Sequence, residues 1–343
     1  MKNIEKKLEY LRERIEKELR TLLSNEDAFA AEIYNMIYYH LGWMDAASTP
    51  VKGSSGKMLR PLFGLLCCEA VEGDSEKALP AVAAVELLHN FSLIHDDIQD
   101  DSSVRRGRET VWAVWGKPQA INAGDALFTI ARNALLKTEE RANSARAVLE
   151  SIRSFDETCM ALCMGQYIDM NFEKLPAVDI DDYLQMVKLK TGSLWGLSGY
   201  LGVFAATEDR EKAETFRRIG ENIGIAFQIQ DDILGVWGEK EITGKTENDL
   251  QRRKKSLPLV HALNATGTPQ AARLSRLCQK EAITREDILQ MKQLMEGTGS
   301  KDFCVSMGER YSDEAKSILT ETTGGSMLET LIMLIRRMIG VTS

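Results

Sequence analysis

Two stretches of this sequence collect carboxylates that packing alone does not call for. In the first, Asp96, Asp97, Asp100 and Asp101 close a long apolar run, AVAAVELLHNFSLIHDDI, in a DDxxD pattern. Asp96 and Asp100 stand at i and i+4, so on a helix they share one face about one turn apart. Clustered carboxylates are costly unless they meet cations, and an all-oxygen set suits magnesium that also takes phosphate oxygens. In the second stretch Gln228, Asp231 and Asp232 follow the apolar run ENIGIAF. Two such helices facing one another would hold metals between them. A solvated acidic helix end is the plainer alternative for either stretch taken alone.

Cationic residues lie close by in sequence. Arg105, Arg106 and Gly107 follow the first cluster, and guanidinium groups are bidentate donors to phosphate, a salt bridge to Asp100 or Asp101 being the alternative. Gly244, Lys245 and Lys254 form a basic stretch after the second, able to close over phosphates. Gly53, Gly56, Lys57 and Arg60 make a glycine-bearing turn just before a helix, a junction that binds phosphate readily but is also common. His89 sits two helical turns before Asp96 and near its face, where a lone histidine is more often a satisfied core residue. Lys190, Thr191 and Gly192 could contact phosphate or could simply end a helix.

The elements that must position these groups are helices. Apolar residues recur at three and four positions, and no Asn-Gly or Asp-Gly turn joins alternating runs. The expected helices are 4–23, 28–41, 59–71, 77–100, 119–137, 142–172, 180–189, 193–206 and 210–237, with several shorter ones after them. The helix carrying the first acidic cluster is apolar nearly all round and should therefore be surrounded by others. No repeat, low-complexity tract or long polar linker divides the chain, so one all-α domain spanning 1–343 is expected.

Composition narrows the function. A net charge of −8 and a pI of about 5.3 leave no basic excess for tracking a nucleic-acid backbone. The charged, periodic N-terminus lacks the apolar segment of a secretory signal, and no run approaches about 18 uninterrupted apolar residues, so a cytoplasmic protein without stable membrane insertion is expected. The six cysteines form no C-x-x-C pair and read as reduced core thiols rather than zinc ligands.

In this order the motifs resemble the trans-polyprenyl diphosphate synthases, the family of farnesyl and geranylgeranyl diphosphate synthases. They are GKMLRP from Gly56, LLHNFSLIHDDIQD from Leu87, RRG from Arg105, GDALF from Gly124, GQYIDM from Gly165, KTGSL from Lys190, FQIQDD from Phe227, then TGK and KKSLP. The resemblance implies an isoprenoid synthase type bundle of long helices around a central cavity, as a homodimer, acting on isopentenyl diphosphate and allylic diphosphates. It further implies three magnesium ions, two on Asp96 and Asp100 and a third on Asp231, with Asp97 and Asp232 supporting. Arg105, Lys190, Thr191, Gln228, Lys245 and Lys254 would hold the allylic diphosphate, and Lys57, Arg60, His89 and Arg106 the isopentenyl diphosphate. The subunit contact is expected on the small-residue-rich helix from Ala120 to Ala134.

Two positions depart from the family pattern. Gly235 stands where the second acidic motif commonly has its last aspartate, and Met58 where a basic residue is usual. Gly235 keeps open a non-catalytic partner subunit of a heteromeric synthase. A terpene cyclase is disfavoured by FQIQDDILG, and a di-iron bundle by the single Glu-x-x-His at Glu86 and His89.

Product length is expected to be set N-terminal to Asp96, where the resemblance places the growing tail. Phe91 lies about 7.5 Å and Leu88 about 12 Å back along a helix. A bulky Phe91 beside a small Ser92 resembles many geranylgeranyl synthases and implies a twenty-carbon product, with farnesyl diphosphate synthase as the alternative.

Overall fold

The computed structural model describes residues 2–25, 27–51, 56–71, 73–141, 143–238, 250–251 and 254–339. Its helices are α1 (Lys2–Leu22), α2 (Ala31–His40), α3 (Leu59–Ala70), α4 (Ser75–Gln99), α5 (Val111–Trp115), α6 (Lys117–Leu136), α7 (Ala145–Phe172), α8 (Ile180–Val187), α9 (Ser193–Thr207) and α10 (Arg210–Trp237). After them come α11 (Leu257–Asn264), α12 (Pro269–Cys278), α13 (Arg285–Gly297), α14 (Ser300–Thr322) and α15 (Gly325–Ile339). The fold is all-α. The C-terminal helices are not uniformly short, since α14 runs for 23 residues.

Contacts divide the chain into two compact units, Met1–Cys159 with Gly196–Arg217 and Thr320–Leu334, and Met160–Trp195 with Arg218–Leu319 and Ile335–Ser343. In the first, α1 buries Leu8, Leu11, Ile15, Leu19 and Leu23, the three-and-four spacing of a single apolar stripe. Helix α4 packs against α1, α3, α5 and α6 and buries Ala81 to Val85 completely. By length and composition α4 could cross a membrane, yet 72% of its most apolar window is buried inside the protein.

The small residues of α6 pack within the chain. Ala120, Ala123, Gly124, Ala131 and Ala134 are buried, and a Cβ on Gly124 would come within 2.3 Å of the His95 ring on α4. They let α6 approach α4 of the same chain, while Ile121, Asn122, Asp125, Arg132 and Asn133 leave another face of the helix exposed.

A two-residue hairpin also escaped the sequence reading. Strands β1 (Val104–Arg105) and β2 (Arg108–Glu109) pair antiparallel across Arg106 and Gly107, which both take positive φ, 52° and 75°. That is the geometry of the tight hairpin turn that Asn-Gly usually supplies. Arg106 occupies it at a steric cost that only surrounding structure sustains. Tyr39 donates to the Glu109 carbonyl at 2.8 Å and Arg108 to the Met44 carbonyl at 2.7 Å, fixing the hairpin's return strand.

The second unit holds two apolar clusters. One joins Tyr183 and Met186 of α8, Ile225, Ile229 and Ile233 of α10, Leu257 and Val260 of α11 and Cys304 of α14. The other packs α12 and α13 on Val236, Leu250 and Leu259.

Candidate active site

In the first unit α4 delivers the DDxxD segment at its C-terminus. Asp74 caps the other end by accepting the Glu76 N–H, and the helix stops because Asp101 turns left-handed at φ 47°. Four aspartates thus gather at the negative end of a helix dipole, which raises their demand for cations. They meet it in different ways. Asp97 is 2% exposed and accepts from Arg105 Nε at 2.8 Å; burial pushes its carboxyl up to about 6 against the pull of Arg105. Asp101 pairs with Lys117. Asp96 is half-buried, and Asp100 is exposed with no ion pair among the described residues.

A second group stands on α3, α4 and the hairpin. Arg60 donates through Nη1 to His89 Nε2 at 3.2 Å. Arginine only donates, so Nε2 is the acceptor and the ring proton sits on Nδ1. Crowding by protein, then by Arg60 and Arg106, holds His89 well below the usual histidine range, so the ring is neutral. Beneath them Asn90 donates to Glu86 Oε1 at 3.2 Å, and Glu86 is 4% exposed. Its carboxylate is the counter-charge for Arg60 and Arg106. Lys57 is exposed, and Gly56 lies against the Arg106 guanidinium, 3.1 Å from Nη1 to where a Cβ would be. Met58 caps α3 in a left-handed conformation with its side chain buried. The residue that replaces a usual cation is thus core.

Phe91 packs its ring on His95 and on Phe128 of α6, centroids 4.8 and 5.3 Å apart, and Phe128 in turn meets Phe155 of α7. Ser92 turns its hydroxyl back onto the His89 carbonyl, 2.8 Å away, and Leu88 is fully buried.

In the second unit Lys190, Thr191 and Gly192 do not end a helix. They lie in a π turn, Lys188–Gly192, that joins α8 to α9 without a break, the Ser193 N–H reaching back to the Lys188 carbonyl. Such one-residue insertions recur at functional sites. Neighbouring helices come close here because two glycines allow it: a Cβ on Gly165 would be 2.5 Å from the Lys190 nitrogen, and one on Gly224 2.8 Å from the Gly192 Cα. Lys190 Nζ meets Asp169 Oδ2 at 2.5 Å.

From the π turn a chain of side chains reaches the second acidic pair. Thr191 donates to Gln228 Oε1 at 3.0 Å, and Gln228 Nε2 donates to Asp232 Oδ1 at 3.0 Å. Asp232 Oδ2 accepts from the Tyr183 hydroxyl and from the Leu257 N–H at 2.8 Å. Asp232 is 1% exposed; burial raises its pKa while Lys254 opposes the rise. Asp231 beside it is half-buried, and Gly235 lies half-buried in the last turn of α10. Asp169, Lys190, Thr191, Gln228, Asp232 and Lys254 together line a small pocket of about 20 Å³. Gly53, Gly244 and Lys245 fall outside the described residues.

Among the described residues no three His, Cys, Asp or Glu side chains form a ready metal cage. The donors fit magnesium nonetheless, because that ion keeps several waters and binds through one or two carboxylates plus substrate phosphates. Asp96, Asp100 and Asp231 offer such carboxylates. Sequence reasoning gave no role to Asp169 or Tyr183, whose partners are 21 and 49 positions away, nor to Asn90, and it weighed Glu86 only as part of a Glu-x-x-His.

An all-helical protein with carboxylates at helix ends and arginine and lysine groups set about them belongs to the class of diphosphate-handling helical enzymes. Comparison with known proteins is specific. Residues 42–295 match the model of the polyprenyl synthetase family. A geranylgeranyl diphosphate synthase of Mycobacterium tuberculosis is 40% identical over 281 residues, 81% of this chain and 78% of that protein. A (2E,6E)-farnesyl diphosphate synthase of Mycobacterium bovis is 35% identical over 295 residues, 85% and 81% of the two chains. The crystal structure of a polyprenyl synthetase from Streptomyces coelicolor superposes with a TM-score of 0.89 at 32% identity, covering 96% of this chain and 98% of that one. The chain belongs to the polyprenyl synthetase family and is a prenyltransferase.

Proposed function

We propose that this protein is a short-chain synthase that condenses isopentenyl diphosphate with allylic diphosphates, ending at geranylgeranyl diphosphate. The observation that carries the reading is the 40% identity with a relative named for that product, joined to a DDxxD helix whose Phe91 ring is held in place by Phe128. The family match runs through both compact units, which supports a single functional domain.

In the proposed reaction, Lys190, Thr191, Gln228, Lys254, Lys245 and the outward edge of Arg105 hold the allylic diphosphate. Lys57, Arg60, Arg106 and the neutral His89 hold isopentenyl diphosphate. Magnesium, held by Asp96, Asp100 and Asp231, would supply charge neutralisation at the leaving diphosphate. Three ions per site follow from the family resemblance. Asp97 and Asp232 position Arg105 and Gln228. The preorganised lysine and arginine groups stabilise the departing diphosphate, and the allylic cation left behind is attacked by the isopentenyl double bond. The proton then lost passes to the released diphosphate, so no side chain need act as general base. Incorporation of labelled isopentenyl diphosphate should stop on chelation and return with magnesium. Incorporation that persists with excess chelator would contradict the metal assignment.

Phe91→Ala is expected to lengthen the products, read by mass spectrometry of the prenyl diphosphates. Phe91 stands about 7.5 Å behind Asp96, close to one and a half turns. An unchanged product distribution would show that the ring is not the floor.

The protein is also proposed to act as a homodimer in the cytoplasm. Met160, Met164 and Tyr167 of α7 are 63%, 50% and 70% exposed at spacings of four and three that keep them near one helix face. Neighbouring exposed apolar side chains of this kind mark an interaction surface. Light scattering should give twice the chain mass; the mass of a single chain would contradict it.

A further inference from the structure

We propose that Tyr183 is a positioning residue for the allylic diphosphate, acting through Asp232 on Gln228 and on the start of α11; this rests on the synthase reading above. Tyr183 is 1% exposed, on the inner face of α8 two turns before Lys190. Its hydroxyl is bonded to Asp232 Oδ2. Burial first, and Asp232 second, keep the phenol protonated, so in this bond it is the donor.

Asp232 is the junction of three elements and reaches the π turn through Gln228. Its Oδ2 takes the Tyr183 hydroxyl from α8 and the N–H of Leu257, the first residue of α11. Its Oδ1 takes the Gln228 amide from the preceding turn of α10. Because that oxygen only accepts, it forces the Gln228 NH2 toward Asp232 and its carbonyl toward Thr191, which donates to it from the π turn. The orientation of the Gln228 amide and the Thr191 hydroxyl is therefore set by a carboxylate that is itself 1% exposed. Lys254 stands three residues before the N–H that Asp232 holds and faces the same pocket as Lys190.

A buried carboxylate needs its donors, because the desolvation cost of an ion falls on whatever bonds remain. Remove the phenol hydroxyl and Asp232 keeps one side-chain donor and one backbone donor. It must then rotate or draw in another group, and either movement changes the placement of Gln228, Thr191 and Lys254 together. Among the described residues, the bonds that join Tyr183, Asp232, Gln228, Thr191 and Leu257 lie within the second unit, and the Arg60–His89 bond lies within the first. The effect is consequently selective between the two substrates.

The test is steady-state kinetics of Tyr183→Phe beside the wild type, varying each substrate in turn. KM for the allylic diphosphate is expected to rise about tenfold, the loss of one hydrogen bond to a charged group, while KM for isopentenyl diphosphate stays within about twofold. In an Asp232→Asn background the same substitution should add little, because the two act as one unit. Equal rises in both KM values, no change in either, or full additivity with Asp232→Asn would overturn the proposal. If Tyr183→Phe does not yield folded protein, Asp232→Asn alone must show the same split, and its failure to do so counts against the proposal equally. Absence of elongation by the wild type would instead overturn the synthase reading itself.

Discussion

Asp96→Asn is expected to lower kcat by about a thousandfold, roughly 4 kcal/mol of transition-state stabilisation, while the unfolding midpoint stays within a few degrees. The carboxylate is half-buried at the closing turn of α4, where the helix dipole and three neighbouring aspartates already favour fewer negative charges. Losing one of the four charges relieves repulsion among them. Asp97→Asn is the informative contrast. That carboxylate is 2% exposed and carries the Arg105 bond, so its loss leaves a guanidinium without its partner and costs stability as well as rate. Circular dichroism melts and single-turnover assays on both variants separate the two roles. A similar loss of activity and stability in both would show that the motif is structural throughout.

Lys190→Met is expected to lower kcat/KM for the allylic substrate by about a hundredfold, the usual scale for one charge-assisted contact to a leaving group. The lysine sits in the π turn, where Gly165 and Gly224 let two helices come within backbone distance of it. It is held by Asp169, whose side chain is 15% exposed, so the ammonium is aimed before substrate arrives. Asp169→Asn should therefore weaken activity less than Lys190→Met, because it loosens the ammonium without removing it. Parallel kinetics on the two variants check the order, and a larger loss from Asp169→Asn would mean that the carboxylate itself meets substrate or metal.

Much of the fold is legible wherever periodicity is long and uninterrupted. The range 210–237 for α10 was readable to the residue, and the end of α4 within one, because an apolar face repeats over many turns and then stops at charges. The hairpin was not readable. Its strands are two residues each, and its turn uses Arg-Gly, whose left-handed arginine no local preference announces. The π turn looked like a helix end because one inserted residue shifts the phase of the apolar face and mimics a break.

The site divides in the same way. The aspartates and basic groups could be named from spacing, but spacing treats Asp96 and Asp97, or Asp231 and Asp232, as equivalent. Burial separates them, and burial depends on Arg105, Tyr183 and Leu257, residues 8, 49 and 25 positions away from the aspartates they bind. The alanines of α6 show a related limit of spacing, since small residues permit a close helix contact without saying whose helix supplies it.

The most direct measurement is mass spectrometry of products after purified protein and magnesium are incubated with isopentenyl diphosphate and, in parallel, dimethylallyl, geranyl or farnesyl diphosphate. Linear prenyl diphosphates ending at geranylgeranyl diphosphate from each primer are predicted. Intact substrates or cyclic hydrocarbons would contradict the account and would mean that Gly235 marks a change of function within the family.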